Sequence, residues 1–508
     1  MSVCYDTRII TSDNQRGKRH PMNTFLKKPL AVLLSLALTF PVLPAAQAAV
    51  EDALPEIGTT AGGTLSIGQE NLMGDFYLRM IRSSSPMVYD PVLLQYINNL
   101  GQRLVSNADS VKTPFNFFLI ANPNINAFAF FGGNVVLHTS LFRYSLTESE
   151  LASVMAHEIA HVTQRHLARM MEDQQNKAPL AWAATLGSIL LLMTGTPVGA
   201  AAMTSTMAGI QQNMISFTQS NEQEADRIGM GTLSRAGFDP QGMPDFMTIM
   251  VDMSRYSSKP PEMLLTHPLP DSRLADARSR AGQMPRKNPP QSFDFLLARA
   301  RAMAMYGGQP LRNATDQMID NYSKGNSKEQ MAADYARAIL LYRDNKYEPA
   351  SQILTKLLAA DPDNVWFIDV MTDVDIGLNR TSQAVIRLEN ALKREPGNSV
   401  YQINLGNAYI QNKQYDKATK ILRNYTFDHP ADPSGWDLLA EAGGKAGRRT
   451  DELAARAEYQ NLMGNFDGAI RSLTEAARQA KPGSYDQARY DARIDQIRQL
   501  QLQFKQFK

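Results

Sequence analysis

VMAHEIAHVTQRH, residues 154 to 166, puts His157, Glu158, His161 and His166 within ten positions of a chain that has seven histidines in all. On an α-helix, residues four apart lie about 40° from one another around the axis, so the imidazoles of His157 and His161 can reach one ion. Neutral imidazole is a good zinc ligand, and a catalytic zinc keeps three protein ligands and one open position. Glu158, beside the first histidine, can take a proton from a water and pass it to a leaving amine. His166 follows His157 by nine residues, about half a turn off on an unbroken helix, and is expected to face away from the ion. The third ligand must come from elsewhere.

Around this stretch Thr147 or Ser145 offers an N-cap, Glu148 and Glu150 suit a first turn, and Leu151, Val154, Met155, Ile159, Val162 and Leu167 recur with helical spacing. The pattern predicts one continuous helix of roughly 25 residues. Upstream, FNFFLIANPNINAFAFFGGNVVLHTSLF is rich in aromatic and β-branched residues broken by Asn-Pro and Gly-Gly, which predicts short strands and turns. Before it, the helical spacing of Leu93, Leu94, Ile97, Leu100 and Leu104 predicts a helical preface. Downstream, Glu222 and Asp226 are again four apart, on a second predicted helix that stops at Gly237, so both carboxylates share a face. This acidic pair is the candidate source of the third ligand, and Glu224, off that face, is expected to be solvated.

Residues 178 to 221 carry no charge. This stretch could span a bilayer, lie in its surface, or form a buried hairpin. Pro179, Gly187, Gly195, Pro197 and Gly199 interrupt it, which favours a buried or interfacial segment over a span.

At 508 residues the chain exceeds one ordinary hydrophobic core, and 44% hydrophobic with 20% charged residues is a globular composition. A mean hydropathy of −0.31 argues against a polytopic membrane protein. From Met22, Lys27 and Lys28 precede an apolar run and then Ala46 and Ala48, the pattern of a signal peptide over 22–48 cleaved near Ala48, which makes 1–21 an over-called start. The only cysteine, Cys4, lies in those first residues, so disulfides and thiolate-held zinc are excluded from the mature chain. Removing 1–48 takes six Lys/Arg and two Asp/Glu from totals of 52 and 50, leaving 46 and 48. That balance gives no electrostatic case for nucleic acid.

Past a segment rich in proline and arginine from Pro260 to Pro290, a period appears. Pro362, Pro396 and Pro430 are evenly spaced, as are Ala350, Ala384 and Ala418, and Leu354, Leu388 and Leu422, each by 34. A period of 34 with a small residue inside the second helix and a proline after it is the tetratricopeptide signature. Gly406 and Tyr409 sit at the first-helix positions, while WDLLAEAGGKAG and GNFDGAIRSL look like further repeat halves out of step with the frame. The expected fold is mainly α: an α+β metalloprotease domain over 49–290, helical with a small sheet, then an all-α solenoid over 291–508.

HEIAH, NEQEAD, THPLPDSR and NAFAFFGGNVVLHTSLFRY together resemble the HtpX and Ste24-like zinc metalloproteases of the gluzincin type. The resemblance implies one zinc per chain held by His157, His161 and Glu222, with Glu158 as general base and Asp226 as the residue orienting the first histidine, also described as a proton donor. Members with an extended strand beside the site bind substrate by strand addition, which marks Asn126, Ala127, Phe128, Gly132 and Gly133 as substrate-binding. His267, in the motif THPLPDSR, is a candidate fourth, inhibitory ligand on a latch, with Arg273 anchoring the loop. A signal peptide before such a domain and repeats after it imply a periplasmic protein with outer-membrane β-barrel precursors as clients and the barrel assembly machinery as partner, peripheral membrane association included. The alternative is chiefly a repeat-based assembly chaperone or adaptor whose protease site is latent.

Overall fold

The fold is taken from a computed structural model, in which residues 65–175, 194, 219–256, 261–307 and 312–507 are described. The expected signal peptide, the start site and, Thr194 and 219–221 aside, the uncharged stretch lie outside these residues. Among the described residues no helix is long and apolar enough to cross a membrane.

The helical preface is α1 (Ile67–Ser84) and α2 (Pro91–Val105), with the two-residue strand β1 (Met87–Val88) between them. Both helices start on a side-chain cap: Ser66 in a reciprocal box with Gln69, and Asp90 ahead of a proline at the first position. Next come β2 (Asn116–Ile120), β3 (Ala127–Phe130) and β4 (Asn134–His138), in the sheet order β1-β2-β4-β3. The β2–β4 pair is parallel, the others antiparallel, and β3 is an outer strand. Alternation along the strands sends Phe117, Leu119, Ala127, Ala129, Val135 and Leu137 into the core shared with α2, and Phe128, Phe130 and Val136 into a second core under α1. The short α3 (Leu141–Tyr144) leads to the central helix α4 (Glu148–Thr163), capped by Thr147 and buried along almost its whole length.

The expected single helix is broken. Helix α4 ends at Thr163, Arg165 takes a left-handed φ of 51°, and α5 (His166–Gln175) starts afresh. After it come α6 (Gln219–Arg235), α7 (Gly242–Tyr256), α8 (Glu262–Thr266) and α9 (Asp271–Gln283). Helix α6 lies so close to α4 that a Cβ on Gly229 would stand 3.0 Å from the Ala156 carbonyl oxygen and 3.1 Å from the His157 nitrogen. Glycine is what lets the two backbones meet at that level.

The helical run continues with α10 (Phe293–Tyr306), α11 (Arg312–Ser323), α12 (Ser327–Arg343), α13 (Tyr347–Ala360), α14 (Val365–Gly377), α15 (Thr381–Arg394), α16 (Ser399–Gln411), α17 (Tyr415–Asp428), α18 (Pro433–Lys445), α19 (Arg449–Leu462), α20 (Phe466–Gln479) and α21 (Tyr485–Phe504). The periodic alanines and leucines of α13, α15 and α17 are all fully buried, and Gly406 packs against Leu422. The structure adds two further series with the same spacing. Asn345, Asn379, Lys413 and Gly447 hold the left-handed turn between paired helices, and Asn364, Asn398 and Asp432 cap the helix that follows. Gly447 therefore keeps WDLLAEAGGKAG in step; the shift comes at Gly464, the next left-handed turn.

Two joints tie this run to the sheet-bearing part. At one, fully buried Arg301 of α10 pairs with Asp90 of the α2 cap (Nε to Oδ2, 2.6 Å) and with Asp369 of α14 (Nη2 to Oδ2, 2.7 Å), and donates to the Tyr335 hydroxyl at 3.0 Å. At the other, α1 meets the far end of the solenoid. Arg82 donates to the Ala431 carbonyl at 2.9 Å, Arg79 donates to the Asn461 carbonyl, and Phe76 packs edge-on against Phe504 with ring centres 5.3 Å apart.

Candidate metal centre

Helix α4 delivers His157 and His161, α6 delivers Glu222, and the turn after α8 delivers His267. All four are buried, and one ligand atom from each lies within 4.8 Å of the others. The two Nε2 atoms of His157 and His161 are 3.0 Å apart, Glu222 Oε2 is 3.5 Å from His157, and Glu222 Oε1 is 3.4 Å from His161. Ligands about 2.05 Å from a tetrahedral zinc stand roughly 3.3 Å from one another, which these spacings approach. The donor set of imidazole nitrogen and carboxylate oxygen also suits zinc.

The far ring nitrogens are held from outside. His157 Nδ1 faces Asp226 Oδ1 at 3.0 Å, and Asp226 in turn accepts two hydrogen bonds from buried Arg273 at 2.7 and 2.8 Å. Arg273 also reaches Glu222 Oε2 at 2.6 Å and the Pro268 carbonyl at 2.6 Å, so the expected anchoring of the His267 loop by Arg273 has a direct contact behind it. His267 Nδ1 sits 2.9 Å from Glu222 Oε1, and its Nε2 lies 3.6 Å from Glu158 Oε1.

His166 and Glu224 depart from the sequence reading. The break at Arg165 turns His166 back toward the site, and its Nδ1 lies 2.9 Å from His161 Nδ1 instead of facing away. Its Nε2 is 3.2 Å from Glu224 Oε2, and Glu224 also accepts from Arg169 at 2.6 Å, so Glu224 is tied down rather than freely solvated. His166 remains outside the group of four that can share an ion. The Arg165 turn is held by its guanidinium, which donates to Glu70 Oε1 at 2.8 Å and to the Leu65 carbonyl at 2.5 Å. None of these contacts was legible in the sequence, because they depend on a left-handed residue that is neither glycine nor asparagine.

The proton equilibria of the pocket are set by burial working against close contacts between imidazoles and carboxylates, while burial holds His161 well below the usual imidazole range. Burial would lower His157, but hydrogen bonds to Asp226 and Glu222 outweigh it and push it up to about 10. Burial would raise Glu222, yet the facing His267, His157 and His161 hold it well below the carboxylate range. Glu158 is fully buried and raised, chiefly by desolvation, with His267 and His157 pulling the other way. Burial brings His166 down to about 4 against the pull of Glu224. An apolar pocket opens beside the centre, lined by Met243, Phe246, Met247, Met250 and Met263 together with His157 and His267.

Of the residues expected to bind substrate, Asn126 immediately precedes the outer strand β3 and Ala127 and Phe128 open it, all three with their side chains buried. Gly132 and Gly133 form the tight turn into β4, with φ of 75° and 71°. Among the described residues no strand pairs with the outer edge of β3.

The Peptidase family M48 model matches residues 92–281, and a tetratricopeptide repeat model matches residues 376–442. The chain is 57% identical to the Beta-barrel assembly-enhancing protease of Escherichia coli, over 95% of this chain and 99% of that protein. It is 55% identical to the protein of the same name from Yersinia pestis, over 94% and 99%. A putative Beta-barrel assembly-enhancing protease of Vibrio cholerae is 47% identical, over 92% and 97%. The chain belongs to peptidase family M48. As an M48 metalloprotease it uses a metal, and the buried cluster of three histidines and a glutamate is compatible with holding it. Its repeats give this M48 enzyme a surface of the kind used for binding other proteins. The reading as chiefly an adaptor is not favoured.

Proposed function

We propose that the chain is a periplasmic zinc endopeptidase with a chaperone-like role in assembling outer-membrane β-barrel proteins, degrading those that misassemble. Its peptidase domain spans 49–290 and its repeat domain 291–508. The observation that carries the catalytic reading is the convergence of four buried ligating groups from three separate segments. The name printed for the relatives in Escherichia coli and Yersinia pestis motivates the barrel clients and the assembly machinery as partner.

In this reading His157, His161 and Glu222 hold one zinc ion, which when bound supplies Lewis acidity to the scissile carbonyl and acidifies a water. Glu158 takes the proton of that water and returns it to the leaving amine; burial raises its carboxyl, which suits a group that must both accept and donate. Asp226 orients His157 through Nδ1; against burial, His157 and then Arg273 keep the aspartate ionised. The outer edge of β3, with which no strand pairs among the described residues, lets an extended client pair as an added strand, with backbone rather than side chains making the contact. The signal-peptide pattern supports the periplasm, and the uncharged stretch would provide any peripheral membrane contact. Replacing Glu158 by Gln tests the whole reading: cleavage of an unfolded protein substrate falls by about 100- to 10,000-fold while partner capture by the repeats is unchanged. Normal cleavage by that variant would end the enzymatic assignment.

His267 completes the ligand set as an inhibitory fourth ligand. Its loop must lift before substrate enters, so His267→Ala raises the cleavage rate. Unchanged or lower activity in a folded variant sinks the latch.

A further inference from the structure

We infer that His166 is a positioning residue that fixes His161 in the tautomer able to hold zinc, backed by Glu224 and Arg169, as the counterpart of Asp226 and Arg273 on His157. The inference rests on the metal-binding reading above and extends it to side chains that reading leaves unused.

The hydrogen-bond directions allow one consistent assignment. For His161 to present a lone pair at Nε2, its proton must be on Nδ1. That N–H points at His166 Nδ1, 2.9 Å away, which must therefore accept. The proton of His166 is then on Nε2 and donates to Glu224 Oε2 at 3.2 Å. Glu224 takes a further hydrogen bond from Arg169 at 2.6 Å, which keeps it an acceptor. Each link fixes the next, ending at the nitrogen that faces His157 and Glu222.

The fold commits resources to this contact. Without the left-handed turn at Arg165, His166 would continue round α4 away from the site. A non-glycine residue in that conformation is strained, and the turn is held by the buried ties of Arg165 to Glu70 and Leu65. His166 itself is fully buried, so the contact is shielded from water.

The test is zinc affinity by competition with a chromophoric chelator, on the full mature chain, beside the melting temperature of the metal-free protein. His166→Ala weakens zinc about 10- to 100-fold, the usual cost of losing an outer partner of a liganding histidine. His166→Asn, whose Oδ1 can stand where Nδ1 stood, recovers most of the affinity, whereas His166→Gln, with its acceptor one bond farther out, does not. If His166→Ala fails to fold, Glu224→Ala carries the test with a smaller loss of zinc affinity in the same direction, and wild-type affinity in that variant overturns the inference. Wild-type affinity in the alanine variant overturns the inference. So does equal weakening in the alanine and asparagine variants, which would reduce His166 to packing. A wild-type chain that binds no zinc would instead overturn the metal-site reading, and this inference with it.

Discussion

The metal centre and the solenoid solve the same problem, placing side chains accurately, in opposite ways. The centre draws His157, His161, Glu222 and His267 from three segments, and each occurs once. The solenoid repeats its devices: a buried alanine, a buried leucine, a left-handed turn and an Asn or Asp cap recur at the same spacing from one helix pair to the next. Accuracy in the centre comes from long-range ties such as Arg273 to Asp226 and Arg165 to Glu70. In the solenoid it comes from contacts between neighbours. A substitution should therefore have a cost predictable from its equivalents in the solenoid, and no equivalent in the centre.

The strongest way to break this contrast is at the joint where the two regimes meet. Arg301→Ala leaves Asp90 and Asp369 buried without their cation and should cost about 3–5 kcal/mol in urea unfolding. A loss under about 1 kcal/mol would mean the joint is not what fastens the repeats to the peptidase part. Next in size, Leu354→Ala, Leu388→Ala and Leu422→Ala each remove a fully buried side chain and should cost about 2–5 kcal/mol, agreeing with one another more closely than that range. Widely scattered values would show that the repeats are not energetically alike. The smallest effects are at the turns. Lys413→Gly relieves a left-handed φ of 58° and should stabilise by up to about 1 kcal/mol, while Gly447→Ala imposes the same strain at φ 71° and should destabilise by about 1–2 kcal/mol. The same sign at both positions would remove the argument that one turn geometry recurs.

The same contrast explains what could be read in advance. The solenoid was legible because its signals are local and recur: evenly spaced prolines and alanines need no knowledge of distant residues. The pairing of HEIAH with NEQEAD was legible because residues four apart on a helix share a face whatever surrounds them. The break at Arg165 was hidden, since TQRH holds neither glycine nor proline and its conformation is set by Glu70 and Leu65, far away in sequence. Assuming an unbroken helix then put His166 on the wrong side and left Glu224 to solvent. The closeness of α6 to α4 was likewise written only as Gly229, a residue with many other uses.

The contact of α1 with the far end of the solenoid bears on the order of biosynthesis. Arg79 reaches Asn461 across 382 positions, and Phe76 is covered by Phe504. A chain emerging from its N-terminus exposes that face of α1 throughout synthesis, until the helices that cover it arrive. The opening helix of the peptidase part is thus among the last to be sealed, and a slow, long-range closure of this kind is where a chain is most open to capture by chaperones or proteases.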